Sequence, residues 1–217
     1  MSKKSNLKYS IKELQKALSI FGDSYKTEVE FFLEFLETNP LKKRSLIPSG
    51  GNDCIMTPPE LAEQIVGHFS RLVNETHLNF LEPCRGEGAF YNAMLRVVSS
   101  KAHKDAEFDW CELSEGKDFL DLKFNLFKYD FIFTNPPFSK LRAFLKKSME
   151  LADNIVFLCP VNHILGLKAR KRDVKEAGFF VREVCRVEKP IEWPSSGFEY
   201  AAIYLSRQAG DCKFSEL

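Results

Sequence analysis

Four consecutive residues, Asn135, Pro136, Pro137 and Phe138, stand directly behind the apolar run YDFIFT at 129–134. Each proline pushes the residue before it into an extended conformation, and neither has an N–H to donate. The corner is therefore stiff and rich in acceptors: the Asn135 side-chain oxygen and the Pro136 carbonyl, with the Phe138 ring beside them. Two acceptors suit a planar NH2 group such as the N6 amine of adenine, a poor nucleophile because its lone pair is delocalised into the ring. Gripping both hydrogens draws the nitrogen towards a tetrahedral shape and turns its lone pair to a methyl donor, which is catalysis by positioning and electrostatics. Phe138 is placed to stack on the base. A base reached this way leaves its helix at a cost of a few kcal/mol, against which stacking contributes roughly 1–3 kcal/mol.

A second group lies upstream. FLEPCRGEGAFYNAML, 80–95, runs from a strand through Gly86 and Gly88 into a helix, placing glycines where the backbone turns sharply and a ligand comes close. Glu112 ends the next strand, roughly 20 residues further on, as expected of a carboxylate that accepts from a ribose diol. Asp118 and Phe119 follow, an acceptor for an adenine amino group and a ring for its face. Thr57 and Pro58 open a capped helix whose free N–H groups suit a carboxylate. Each feature has a plain structural reading as well: a turn, a strand-end carboxylate, a helix cap. One ligand engages them all, and S-adenosylmethionine has the ribose, the adenine and the carboxylate required.

These residues need a scaffold, and the pattern predicts one. Apolar strands at 78–83, 107–113, 129–134 and 154–161 alternate with helical segments at 88–100, 140–152 and 166–177. That alternation predicts an α/β, Rossmann-like fold with a mostly parallel sheet covered by helices on both faces. FFVREVCRVEKPIEW and YAAIYLSR, joined by PSSGFE, leave no room for a crossover helix and predict an antiparallel C-terminal pair. Residues 10–37 have the spacing of two short helices, the second apolar on two faces, which predicts cover from the main domain and from a partner chain or second copy. The expected organisation is a helical extension and linker over 1–50, one domain over 51–210 and a tail at 211–217.

Composition sets limits. The chain has 217 residues and a net charge of +1, so it is not a polycation attracted indiscriminately to nucleic acid. The basic residues are clustered, however, at 2–4, 41–44, 139–147 and 167–172, and the last two clusters follow strand ends, where α/β proteins place their sites. The six cysteines are widely spaced and the histidines lack ligand spacing, which gives no metal site and suits reduced thiols. No apolar stretch approaches the roughly 20 residues of a membrane span, and MSKKSNLKYSIKEL lacks the apolar block of a secretory signal. A soluble cytoplasmic protein, nucleoid-associated in a bacterial or phage setting, is expected.

Taken in order, TPPELAEQI, LEPCRGEGAF, CEL, KDFL and TNPPF resemble the motifs of the S-adenosylmethionine-dependent amino-methyltransferases that make N6-methyladenine in DNA. The resemblance covers residues 55–140 and, more loosely, the sheet to 207. It implies that Thr57, Pro58, Glu82, Pro83, Arg85, Gly86, Gly88, Glu112, Leu113, Asp118, Phe119 and Asn135 hold the cofactor, and that Asn135, Pro136 and Phe138 hold the target base. Two departures stand out. The segment between CEL and Lys117-Asp118 is trimmed where the family has a helix, and the chain leaves no room for a separate recognition domain. Recognition then falls to the N-terminal helices, the basic loops, the IEWPSSGF loop at 191–198 or a second chain, with His163, Lys168, Arg170 and Trp193 as candidate DNA contacts. The same corner also serves enzymes that methylate adenine in structured RNA or a glutamine amide in protein, and a catalytically silent binding subunit is the non-enzyme alternative. The clustered basic loops favour nucleic acid, and the motif order favours DNA over RNA.

Overall fold

The computed structural model describes residues 55–122, 129–193 and 199–217. The helices expected at 10–37, the 1–50 extension, Cys54 and residues 194–198 of the 191–198 loop lie outside these residues. The described chain forms α1 (Pro59–Phe69), β1 (Asn79–Glu82), α2 (Ala89–Val97), β2 (Glu107–Trp110), β3 (Tyr129–Thr134) and α3 (Leu141–Leu151). It continues through β4 (Ala152–Pro160), α4 (Val161–Leu165), α5 (Lys168–Glu176), β5 (Phe180–Val187), β6 (Tyr200–Ser206) and β7 (Lys213–Glu216).

All seven strands join one sheet in the order β2-β1-β3-β4-β6-β5-β7. β1 runs parallel to β2 and β3, and β3 parallel to β4. β6 is antiparallel to both β4 and β5, and β7 is parallel to β5. The mostly parallel sheet and its antiparallel C-terminal pair are as the sequence predicts.

Strand alternation divides the core between the two faces of the sheet. Phe80, Phe131, Phe133, Val156 and Leu158 face α1 and α2, meeting Ile65, Phe69, Phe90 and Met94. Leu81, Ile132, Ile155 and Phe157 face the other way, against Leu141, Phe144 and Leu145 of α3. Each fully buried side chain of this size contributes roughly 1.5–3 kcal/mol, so both faces hold helices firmly. The chain leaves β1 for β2 on one side and returns to β3 on the other. This reversal opens a crevice beyond the C-terminal ends of β1 and β3, between Pro83–Gly88 and Asn135–Phe138, where open α/β sheets bind ligands.

Three expectations are adjusted. The helix expected over 166–177 forms as α5, and a short helix not expected from the sequence, α4, precedes it directly after β4, with Gly166 and Leu167 between the two. β2 ends at Trp110, and Glu112 instead makes a single antiparallel bridge with Lys117. The 211–217 tail is corrected: Lys213–Glu216 pairs with β5 from Glu183 to Arg186, Cys212 is buried and Phe214 packs on the core. Pairing satisfies backbone groups that β5 would otherwise leave exposed along its edge. Among the described residues no helix is long and apolar enough to cross a membrane.

Candidate active site

β3 ends in a fully buried Thr134, and Asn135 follows at the mouth of the crevice. The Asn135 amide nitrogen donates to Ile55 O at 2.9 Å and to Thr57 Oγ1 at 3.1 Å. Ile55 O can only accept, so the amide must present its nitrogen there. The other end of the amide, Oδ1, is buried and has no hydrogen-bond partner. An unsatisfied buried acceptor costs about 1–3 kcal/mol, a penalty that a turn serving only to end a strand has no reason to carry. The Phe138 ring stands edge-on to His163 at 5.6 Å and tilted towards Tyr200 at 6.0 Å.

Cys84 ties the glycine turn to this corner. Its sulfur lies 2.9 Å from Thr134 Oγ1 and donates to Asn135 O at 3.3 Å. Burial pushes the Cys84 thiol far above its ordinary range, so it is a neutral packing group and no nucleophile. Gly86 has φ +53°, and a Cβ there would lie 3.0 Å from Met56 Sδ. Only glycine fits this position without strain.

The Gly86 N–H donates to Glu112 Oε2 at 2.8 Å, while Glu112 Oε1 accepts from Ser114 N at 3.1 Å and Ser114 Oγ at 2.8 Å. Burial alone would raise the Glu112 pKa, but these donors outweigh it and hold the carboxyl below its usual range. Glu112 is thus an ionised acceptor with lone-pair capacity left for a diol. Glu82 is its opposite. Burial pushes its pKa well above the ordinary carboxylate value, against the Tyr91 N–H that donates to Oε2 at 2.5 Å.

These groups enclose a cleft of about 280 Å³. Its wall includes Pro83, Gly86, Glu112, Leu113, Asp118 and Phe119 from the cofactor set, and Asn135, Pro136 and Phe138 from the base set. A smaller recess shares Ile55, Met56, Cys84, Gly86 and Asn135 with it and adds Thr57, Glu82 and Arg85. Leu113 lines the cleft and is 61 % exposed.

No protein-family model matches the chain. Among solved structures, a protein assigned as a class I S-adenosylmethionine-dependent methyltransferase from Listeria monocytogenes superposes with a TM-score of 0.57 at 10% identity, over 96% of this chain and 84% of that one. The fold is a Rossmann-like methyltransferase fold. A protein assigned as the modification subunit of a type I restriction enzyme from Vibrio vulnificus YJ016 gives 0.55 at 15% identity, over 87% of this chain and 52% of that one. The M protein of the type I restriction enzyme EcoKI gives 0.51 at 13% identity, over 92% and 54%. The chain thus spans about half the length of these two restriction-enzyme subunits.

Within this methyltransferase fold, several sequence-predicted residues take places their motifs did not specify. α1 has Pro58 as its N-cap, a side chain with nothing to cap with, and the Thr57 hydroxyl one residue earlier accepts from Asn135. Pro58 and Gly88 line neither cavity; Gly88, at φ +87°, is the residue from which α2 departs. Arg85 reaches only the recess, with its guanidinium 3.9 Å over the Trp110 ring and paired to Glu115. Asp118 accepts from Leu120 N at 2.9 Å, and Phe119 is buried against Phe144 while still lining the cleft.

Of the candidate DNA contacts, Lys168 is exposed and Arg170 donates to His163 O. Trp193 is corrected: it is 5 % exposed, its indole N–H donates to Met56 O at 2.9 Å, and it packs edge-on against Tyr200. It anchors the wall of the cleft rather than facing a partner. Ile55, Met56, Cys84, Lys140 and Phe144 also line the cleft. Ile55, Met56 and Phe144 have no signal but adjacency to the Thr57, Gly86 and Asn135 motifs, whereas Cys84 stands inside LEPCRGEGAF and Lys140 in the basic cluster at 139–147.

Proposed function

We propose that this chain transfers a methyl group from S-adenosylmethionine to the N6 amine of adenine in DNA. The observation that carries the reading is the Asn135 amide, whose nitrogen is held by Ile55 and Thr57 and whose buried oxygen lacks a donor. A hydrogen of the N6 amine is the donor it lacks. The Pro136 carbonyl, next along the corner, takes the second hydrogen, and Phe138 stacks on the ring.

The residues present fit the cofactor. Glu112 accepts from the ribose, Asp118 from the adenine amine, Leu113 and Phe119 cover the adenine faces, and Gly86 allows the backbone to approach. Bound S-adenosylmethionine supplies an electrophilic methyl on a sulfonium centre and leaves as a neutral thioether. The protein's part is positional: Asn135 Oδ1 and the Pro136 carbonyl hold the amine pyramidal, then pass the proton it sheds after methylation towards solvent. No strong base is required, in keeping with the neutral Cys84. DNA is preferred as the polymer because of the motif order and the likeness to type I restriction-enzyme subunits.

Nucleoside mass spectrometry tests this after separate incubations of the chain and S-adenosylmethionine with duplex DNA, structured RNA and cell extract. N6-methyladenine in DNA is expected. Methylated adenine in RNA alone would refute the choice of polymer, and cofactor binding without any transfer would favour a silent binding subunit.

A further inference from the structure

Charge is segregated in this chain. Residues 138–151 and 161–177 carry nine Lys and Arg against three Asp and Glu, a net of +6, whereas the whole chain carries +1. Everything outside these two segments is therefore net −5.

On α5, Lys168, Lys171, Arg172 and Lys175 fall at i, i+3, i+4 and i+7, which places them on one face, while Val174 is buried on another. Lys168, Arg172 and Lys175 are exposed. The acids nearby are already occupied. Asp173 accepts a two-point contact from Arg142 of α3, at 2.6 and 3.0 Å, and Glu176 lies 3.8 Å from Arg172 Nε. The Arg142–Asp173 fork also joins α3 to α5, so the two helices present one surface.

That surface begins at the base pocket. Lys140 lines the cleft, just before α3. On the other side, Arg170 of α5 donates to the carbonyl of His163, whose ring stands against Phe138.

We propose that the face formed by Lys140, the start of α3 and the α5 stripe carries the phosphate backbone of duplex DNA beside the flipped adenine. The proposal rests on the DNA reading above. From Lys168 to Lys175 the stripe runs about 10 Å along its helix, a length over which duplex DNA presents about six phosphate charges. Leu167 at its start is the one large exposed apolar side chain beside the stripe among the described residues, too little for a protein-binding patch, and the single sign of charge matches a polyanion.

The test is the salt dependence of binding, read by fluorescence anisotropy with the full chain, S-adenosylhomocysteine and a labelled duplex between 50 and 200 mM NaCl. Each phosphate contact contributes about 0.9 to the slope of log K against log salt. The Lys168→Gln/Lys171→Gln/Lys175→Gln variant is expected to flatten the slope by about 2 to 3 and to weaken binding more than tenfold at 50 mM. Lys168→Gln alone should flatten it by about 0.9, which guards against a folding defect in the triple variant. Lys104→Gln/Lys213→Gln, at exposed positions elsewhere, should leave it unchanged. An unchanged slope in the triple variant overturns the proposal, as does flattening with hairpin RNA but not with duplex DNA. Failure of the DNA reading itself shows differently, as absent methyl transfer by the unaltered chain.

Discussion

The amide nitrogen of Asn135 donates to the Thr57 hydroxyl at 3.1 Å, across 78 residues of chain. The bond joins the end of β3 to the segment before α1. The base corner and the N-terminal wall of the cleft are therefore one unit, and the orientation of the Asn135 oxygen is set from outside its own motif.

Thr57→Val keeps the shape and removes the acceptor, leaving the Asn135 nitrogen with Ile55 O alone. The kcat for methyl transfer should fall about tenfold, equivalent to ~1.4 kcal/mol and typical of one hydrogen bond, while cofactor affinity changes less than threefold. Steady-state kinetics beside calorimetry reads both; an unaltered kcat would remove Thr57 from the positioning of Asn135.

Gly86→Ala places a Cβ in the left-handed region, 3.0 Å from the flexible end of Met56. Met56 can move, so backbone strain dominates, at about 1–2 kcal/mol. For a domain of this size that lowers Tm by roughly 2–8 °C. Cofactor affinity should fall with it, because Met56 is displaced into the cleft and the Gly86 N–H supports Glu112. A calorimetric scan with and without cofactor checks the pair of effects.

Glu82 supplies a pH signature. Its folded pKa lies above the unfolded value because of burial. Its favourable contribution is therefore complete below the unfolded pKa and is lost as pH rises through the folded one. Glu82→Gln keeps an acceptor for the Tyr91 N–H and cannot ionise. It should raise Tm relative to the parent at pH 8, with the gain shrinking as pH falls towards 4.5. A gain independent of pH across that range would mean that Glu82 does not titrate as described.

What was legible in the sequence was local. The Asn135–Phe138 corner declares itself because two prolines fix the backbone and leave acceptors, and Gly86 with Glu112 follows from a strand-turn-helix pattern. The strands were readable because apolar runs such as 129–134 are continuous. Contacts made by the tertiary fold were not. Thr57 resembles a helix cap until β3 brings Asn135 to it. Trp193 lies among Pro, Ser and Gly and resembles a surface loop, but its indole reaches the carbonyl of Met56. Lys213–Glu216 is too short and too charged to read as a strand, and is one because β5 offers it an edge.

The most direct test of the account is the single-turnover methylation rate of Asn135→Ala on duplex DNA, measured beside its affinity for S-adenosylmethionine. Loss of a preorganised acceptor of this kind should lower the rate at least about 100-fold, with affinity held within threefold. A rate within tenfold of the unaltered chain would contradict the role given to the Asn135 oxygen.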